Sequence, residues 1–155
     1  MNRRSDSVAK ENKLFLERIV KTKPKNLDKL VNELHDEAFK KIDCLECAKC
    51  CSSLGPQIFE SDIERLASAL KMKTSILKDS YIRLDEEGDY VFKQSPCPFL
   101  CDDNLCSVYA SRPKACREYP HTDRKRFYQV ARKTYHNAMV CPAVYSILES
   151  LKKML

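Results

Sequence analysis

The run Cys44-Leu45-Glu46-Cys47-Ala48-Lys49-Cys50-Cys51 places four thiols in eight residues, and the rest of the chain is read outward from it. A C-x2-C turn folds back tightly enough to aim two thiolates at one ion or cluster, and C-x2-C-x2-C extends that geometry to a third. Cys51 follows Cys50 directly. Neighbouring side chains point in different directions, so these two are expected to serve two centres, or one centre and its surroundings. Further along stand Cys97, Cys101, Cys106, Cys116 and Cys141, so nine of 155 residues carry thiols. Coordination drawing on both groups would make the metal site a clasp between the two halves of the sequence.

The composition bounds what such a centre can belong to. A chain of 155 residues is enough for one domain with a real core, and too short for a large enzyme with a separate substrate domain. Hydrophobic residues make up 43% and charged residues 32%, which fits a folded protein with a strongly solvated surface. The formal net charge of +6 comes from 28 basic and 22 acidic residues spread along helical stretches. That spread reads as solvated helix faces more readily than as a nucleic-acid footprint. No apolar run of about 18 residues occurs, so no membrane span is expected. Met1-Asn2-Arg3-Arg4-Ser5-Asp6 has two arginines but no apolar stretch behind them, and so resembles neither a secretory nor a twin-arginine signal. The expected location is the cytoplasm, where reduced thiols favour metal binding over a disulfide framework. With two glycines a Gly-rich cofactor cradle is excluded, and no nucleophile-base pair or phosphate loop is evident.

Helical periodicity flanks the cysteines. Val8, Phe15, Leu16, Ile19 and Val20 predict a helix over 7–20, and Leu27, Leu30, Val31, Leu34 and Ala38 a second one capped by Asn26. His35 lies on the polar face of that second helix and reads as a surface residue. Gly55 is expected to supply an unusual turn conformation in the loop after Cys51. Ser61-Asp62-Ile63-Glu64 reads as a capping box in which Ser61 and Glu64 satisfy free amides. It opens a helix to about Leu70, and a short helix over 75–81 follows. Tyr90-Val91-Phe92 is the one strand candidate, leading into Pro96-Cys97-Pro98, where two prolines stiffen an extended segment. Phe127, Val130, Ala131 and Ala138 suggest another helix, and Pro142 opens the last, with Cys141 at its N-terminus. The expected fold is mainly α with a short β element, a single small domain of helices packed around a cysteine-rich irregular metal centre. Within it, 1–40 forms a helical extension packed on a cysteine-cluster domain over 41–155 that includes the C-terminal helices.

The C-x2-C-x2-C-C run, followed by CPFL at 97–100, CSVY at 106–109, RP at 112–113 and CREYP at 116–120, resembles the YkgJ-like cysteine-cluster family of zinc- or iron-chelating domains. The DIERLA segment at 62–67 is similar to the family as well, and the resemblance covers roughly 40–145. It implies eight metal ligands, Cys44, Cys47, Cys50, Cys51, Cys97, Cys106, Cys116 and Cys141. Cys101 falls where similar sequences carry polar or acidic residues, which implies a spare thiol or small core residue. A flagellin lysine methylase, a much longer protein, is the relative that links the family to iron-sulfur chemistry.

Eight thiolates suffice for two centres. Zinc held by four thiolates and an oxidised four-iron cluster held by four thiolates both carry a formal charge of about −2, so electrostatics does not separate them. Lys49, Arg112, Lys114 and Arg117 are the nearby cations in sequence, the arginines being better suited to donating to several sulfurs. Their alternative role is surface charge or pairing with Glu118 and Asp102. Cys44, Cys47 and Cys50 with a distant Cys141-Pro142 resemble ferredoxin spacing, which tilts the expectation towards iron-sulfur. His121 and His136 are weaker ligand candidates. The expected function is chelation of iron, as an iron-sulfur cluster, or of zinc through the eight thiolates. The alternative is an iron-sulfur enzyme of redox or methyl-transfer type, with Tyr109, Arg112, Arg117 and Tyr119 around the site. Those tyrosines otherwise read as core residues. A zinc-stabilised nucleic-acid module using Arg124-Lys125-Arg126 is the third and weakest option.

Overall fold

The computed structural model describes residues 3–155, with side chains from Ser5 onward. Met1 and Asn2, part of the start weighed above as a targeting signal, lie outside the described residues. In chain order the elements are α1 (Arg3–Thr22), α2 (Leu27–Lys41), α3 (Cys44–Cys47), α4 (Lys49–Ser53), α5 (Glu60–Ala69), α6 (Thr74–Tyr81), β1 (Ile82–Leu84), β2 (Tyr90–Phe92), α7 (Lys114–Glu118), α8 (Ala131–Ala138) and α9 (Pro142–Met154). Short 3-10 turns occupy Tyr109–Ser111 and Phe127–Val130. The protein is mainly helical with one small β element, as its periodicity implies. Its contacts define two compact units, residues 1–43 with 120–155, and residues 44–119. The first break falls after Asp43. The C-terminal helices, expected with the cysteine segment, group with α1 and α2.

In the first unit α2 packs on α9, α1 on α8, and α8 on α9. The reason is stripe matching. Phe15, Leu16 and Ile19 on α1, Leu27, Val31 and Ala38 on α2, and Val144, Ile147, Leu148 and Leu151 on α9 recur at helical spacing and are all buried. Asp28 accepts hydrogen bonds from the amides of Arg126 (2.7 Å) and Phe127 (2.9 Å), which anchors the 3-10 turn and its fully buried Phe127. The expected continuous helix from Phe127 thus begins as this turn before α8 takes over. Asn26 occupies the cap position of α2 but makes no side-chain cap bond. His35 is half-buried rather than on the surface, because its Nδ1 shares a 2.7 Å hydrogen bond with the buried Thr122 hydroxyl.

The second unit has its own apolar centre. Ile58, Ile63, Leu66, Ala67, Leu77, Ile82, Phe92, Phe99 and Val108 form it, and Cys97 and Cys106 pack against its edge. Phe99 meets Tyr81 and Phe92 at ring-centroid distances of 5.1 and 5.5 Å. β1 and β2 pair antiparallel, with Ile82 opposite Phe92 and Leu84 opposite Tyr90. The Asp85 carboxylate closes their turn by accepting from the amides of Glu87 and Asp89, both at 2.9 Å. Gly88 sits there at φ 84°, whereas Gly55 does not take the left-handed conformation expected of it. Helix α5 also starts two residues earlier than the capping box implied, with Phe59 rather than Ser61 at the cap. Asp62, not Glu64, reaches back, its Oδ2 accepting from the Phe59 amide at 2.9 Å.

Candidate metal centre

Local geometry first separates the four early thiols. Cys44–Cys47 make a single turn of helix, after which Ala48 takes a left-handed conformation (φ 46°) and the chain restarts as α4. Cys44 is exposed, while Cys47, Cys50 and Cys51 are half-buried. The later thiols are then brought to Cys51 by the backbone. The Cys97 amide donates to the Cys51 carbonyl at 2.9 Å, so the two segments touch at their cysteines. Beyond it, Leu100 bridges Cys106 and the Ser107 amide donates to Phe99 O at 2.9 Å, which folds 97–107 into a tight hairpin carrying both Cys97 and Cys106.

Cys116 is positioned by a buried charge. The Asp62 carboxylate accepts from the Lys114 amide (Oδ1, 3.0 Å) as well as from Phe59, and from Arg65 Nη2 at 2.8 Å. The same Arg65 nitrogen donates to the Arg112 carbonyl at 2.8 Å. Asp62 and Arg65 therefore pin residues 112–114, and with them the first turn of α7, to the start of α5. Burial would raise the Asp62 carboxyl, but the amides of Phe59 and Lys114 and the Arg65 guanidinium outweigh it and hold the group below its usual range.

Cys51, Cys97, Cys106 and Cys116 share one electrostatic environment. The hydrogen bond from Cys50 is the largest influence on Cys51; against the opposing effect of burial, and helped by its own amide and the Arg112 charge, it brings the thiol down to about 6. Cys116 is pushed up to about 12, first by burial and then by the charges of Cys97, Cys51 and Cys106, with Arg112 opposing. Cys97 and Cys106 are raised by burial and by the Cys51 charge, amides and, for Cys106, Arg112 partly offsetting it. Cys51 is thus shifted down while its three neighbours are held up, chiefly by burial and then by neighbouring thiolate charge. Among the described residues, no three His, Cys, Asp or Glu side chains stand together closely enough to hold a metal ion as placed.

Arg112 is the cation that reaches this set. Its guanidinium lies over the Tyr109 ring at 3.8 Å from the centroid. Its Nε is buried and, among the described residues, meets no hydrogen-bond acceptor. A soft donor set with a cation alongside it and a buried N–H lacking an acceptor suits an anionic thiolate centre. The other cations expected nearby are placed differently. Lys49 and Arg117 are exposed, and Lys114 lies 3.7 Å from Glu118. Tyr109 is 47% exposed and so is not the core residue it resembled, whereas Tyr119 is half-buried.

Of the remaining candidates, Cys101 is exposed at the start of the hairpin turn, its amide donating to Leu105 O at 2.8 Å. From that turn the Asn104 side chain donates to the Glu46 carbonyl at 3.0 Å, tying it to α3. Cys141 is buried and forms the N-cap of α9, as expected, in the unit built from both ends of the chain. His121 is half-buried and His136 exposed. Asp62 and Arg65 are the residues sequence reasoning passed over. The available signal was an Asp and an Arg three apart at a helix start, between two cysteine groups.

A mainly helical protein whose 44–119 unit carries eight of its nine cysteines on short turns fits the class of cysteine-cluster metal-binding proteins. Residues 43–142 match the CxxCxxCC family, described as "Putative zinc- or iron-chelating domain", and the chain belongs to that family. No curated protein and no solved structure was found to match it. No helix is long and apolar enough to cross a membrane among the described residues.

Proposed function

We propose that the protein is a non-catalytic metal-binding module in which Cys51, Cys97, Cys106 and Cys116 supply one four-thiolate centre. The observation that carries this is the Cys97 amide bonded to the Cys51 carbonyl, with the four thiols coupled through charge. Cys44, Cys47 and Cys50 are proposed to belong to a second centre, because the left-handed Ala48 turns the chain between Cys47 and Cys50. Cys141 stays a candidate ligand on its motif alone. Cys101 is proposed as a spare thiol. A cytoplasmic location fits reduced cysteines, all nine of which are free.

Iron, as an iron-sulfur cluster, is the cargo we favour over zinc, on the ferredoxin-like spacing of Cys44, Cys47 and Cys50. When bound, such a centre would supply charge and cross-links to loops that carry little regular structure. The protein's part is to present thiolates, exclude water from Cys116 and offset negative charge with Arg112. Purification without oxygen, followed by metal and acid-labile sulfide determination and a visible spectrum, tests the reading. A brown protein with iron and sulfide in stoichiometric amount is expected. A colourless protein with stoichiometric zinc would move the cargo to zinc, and a metal-free protein would end the proposal.

A further inference from the structure

We propose that Arg112, held flat against Tyr109, donates its Nε–H to a thiolate of the metal-loaded Cys51, Cys97, Cys106 and Cys116 set and is that centre's built-in counter-cation. The inference rests on the chelation reading above and goes beyond it by assigning a positioning role to a residue that is not a ligand.

Three independent features single out this guanidinium. The first is attachment. Its carbonyl accepts from Arg65 at 2.8 Å, and its plane rests 3.8 Å from the Tyr109 centroid, so both its backbone and its side chain are held. The second is the buried Nε, which meets no acceptor among the described residues. A buried donor left in that state is costly, by about 1–3 kcal/mol, unless an acceptor is supplied by what the site holds. The third is location: the Tyr109 amide donates to the Cys106 carbonyl at 3.3 Å, the Arg112 amide to the Tyr109 carbonyl at 3.4 Å and the Cys116 amide to the Pro113 carbonyl at 2.9 Å, so Arg112 sits in the turns that join Cys106 to Cys116. Among the described residues no carboxylate pairs with it, so its charge is not already neutralised by an acidic side chain.

The chemistry follows from the charge count. Four thiolates around zinc, or around an oxidised four-iron cluster, leave a net charge of about −2 in a partly buried site. A planar, permanently charged group with a fixed N–H direction stabilises that charge better than a mobile ammonium does. Arginine at 112 and lysine at 112 are therefore not equivalent. Arg117, five residues away but exposed, provides a matched control.

The test uses the full chain and the metal ions zinc(II) and cobalt(II) alone. Zinc affinity is measured by competition with a chromophoric chelator, and the sulfur-to-cobalt charge-transfer bands are recorded on the same proteins. Arg112→Gln is expected to weaken zinc binding about 10- to 100-fold and to shift the cobalt bands. Arg112→Lys should recover only part of the affinity, and Arg117→Gln should leave both readouts unchanged. Wild-type affinity and bands in Arg112→Gln would overturn the role of Arg112 while leaving chelation intact. Absence of zinc and cobalt binding by the wild type would overturn chelation and the inference with it. Should Arg112→Gln fail to fold, Arg112→Lys decides: full wild-type affinity overturns the directed Nε bond, and a clear loss supports it.

Discussion

Asp62 shows most clearly how a single residue reaches the site without touching it. Its carboxylate is fully buried and accepts from two amides and a guanidinium, all at 2.8–3.0 Å. Truncating it strands those donors, so Asp62→Ala should cost about 3 kcal/mol of stability, read as a lower denaturant midpoint. Its pH signature has a definite sign. The folded carboxyl titrates below its unfolded value of about 3.9, so its contribution is fully present above that pH and is lost as pH falls through the folded value. Asp62→Asn, which cannot ionise, should remove this part of the acid dependence, and an identical acid-unfolding slope in the two proteins would contradict the assignment. The sequence hides such a residue well. A carboxylate at a helix start looks like an ordinary cap, and only the tertiary approach of Lys114 turns it into a cross-brace.

At the scale of elements, helices were the most readable feature because their burial repeats every three or four residues. The stripe Val144, Ile147, Leu148 and Leu151 on α9 is buried as its spacing implies. Leu148→Ala should accordingly cost about 2–5 kcal/mol in thermal or denaturant unfolding, and a cost below about 1 kcal/mol would mean that α9 is not the packed element described. What escaped was set by partners rather than by pattern. Ile82–Leu84 is too short to show an alternation, and it becomes a strand because Tyr90–Phe92 lies opposite it. The grouping of thiols was hidden for the same reason. Spacing marks Cys44, Cys47 and Cys50 as a set, but nothing local announces that the Cys97 amide meets the Cys51 carbonyl at 2.9 Å, a contact that only the tertiary fold supplies. Arg112 and Arg117 were equal candidates on sequence, until one was placed on Tyr109 and the other in solvent.

Across the whole molecule, long helices and cysteine-bearing loops use different sources of stability. The unit containing α1, α2, α8 and α9 is held by long matched apolar stripes. The unit over 44–119 has a smaller apolar centre, and its cysteine segments are short turns that gain few regular hydrogen bonds. Metal coordination to such segments adds directly to folding free energy, and its removal should be felt there first. Stripping the metal with a chelator is expected to lower amide protection from hydrogen exchange in 44–56 and 95–119 while leaving α9 protected. Loss of protection spread evenly over the chain would contradict that division.

If Cys51, Cys97, Cys106 and Cys116 act together as one metal-holding set, deleting a single one of them must cost the protein bound metal. Metal content per chain should be determined on anaerobically prepared wild type, Cys116→Ser and Cys101→Ser, with folding checked by circular dichroism. Bound metal is expected in the wild type, with a fall by at least one centre in Cys116→Ser and no change in Cys101→Ser. Undiminished metal in a folded Cys116→Ser protein would contradict the four-cysteine set.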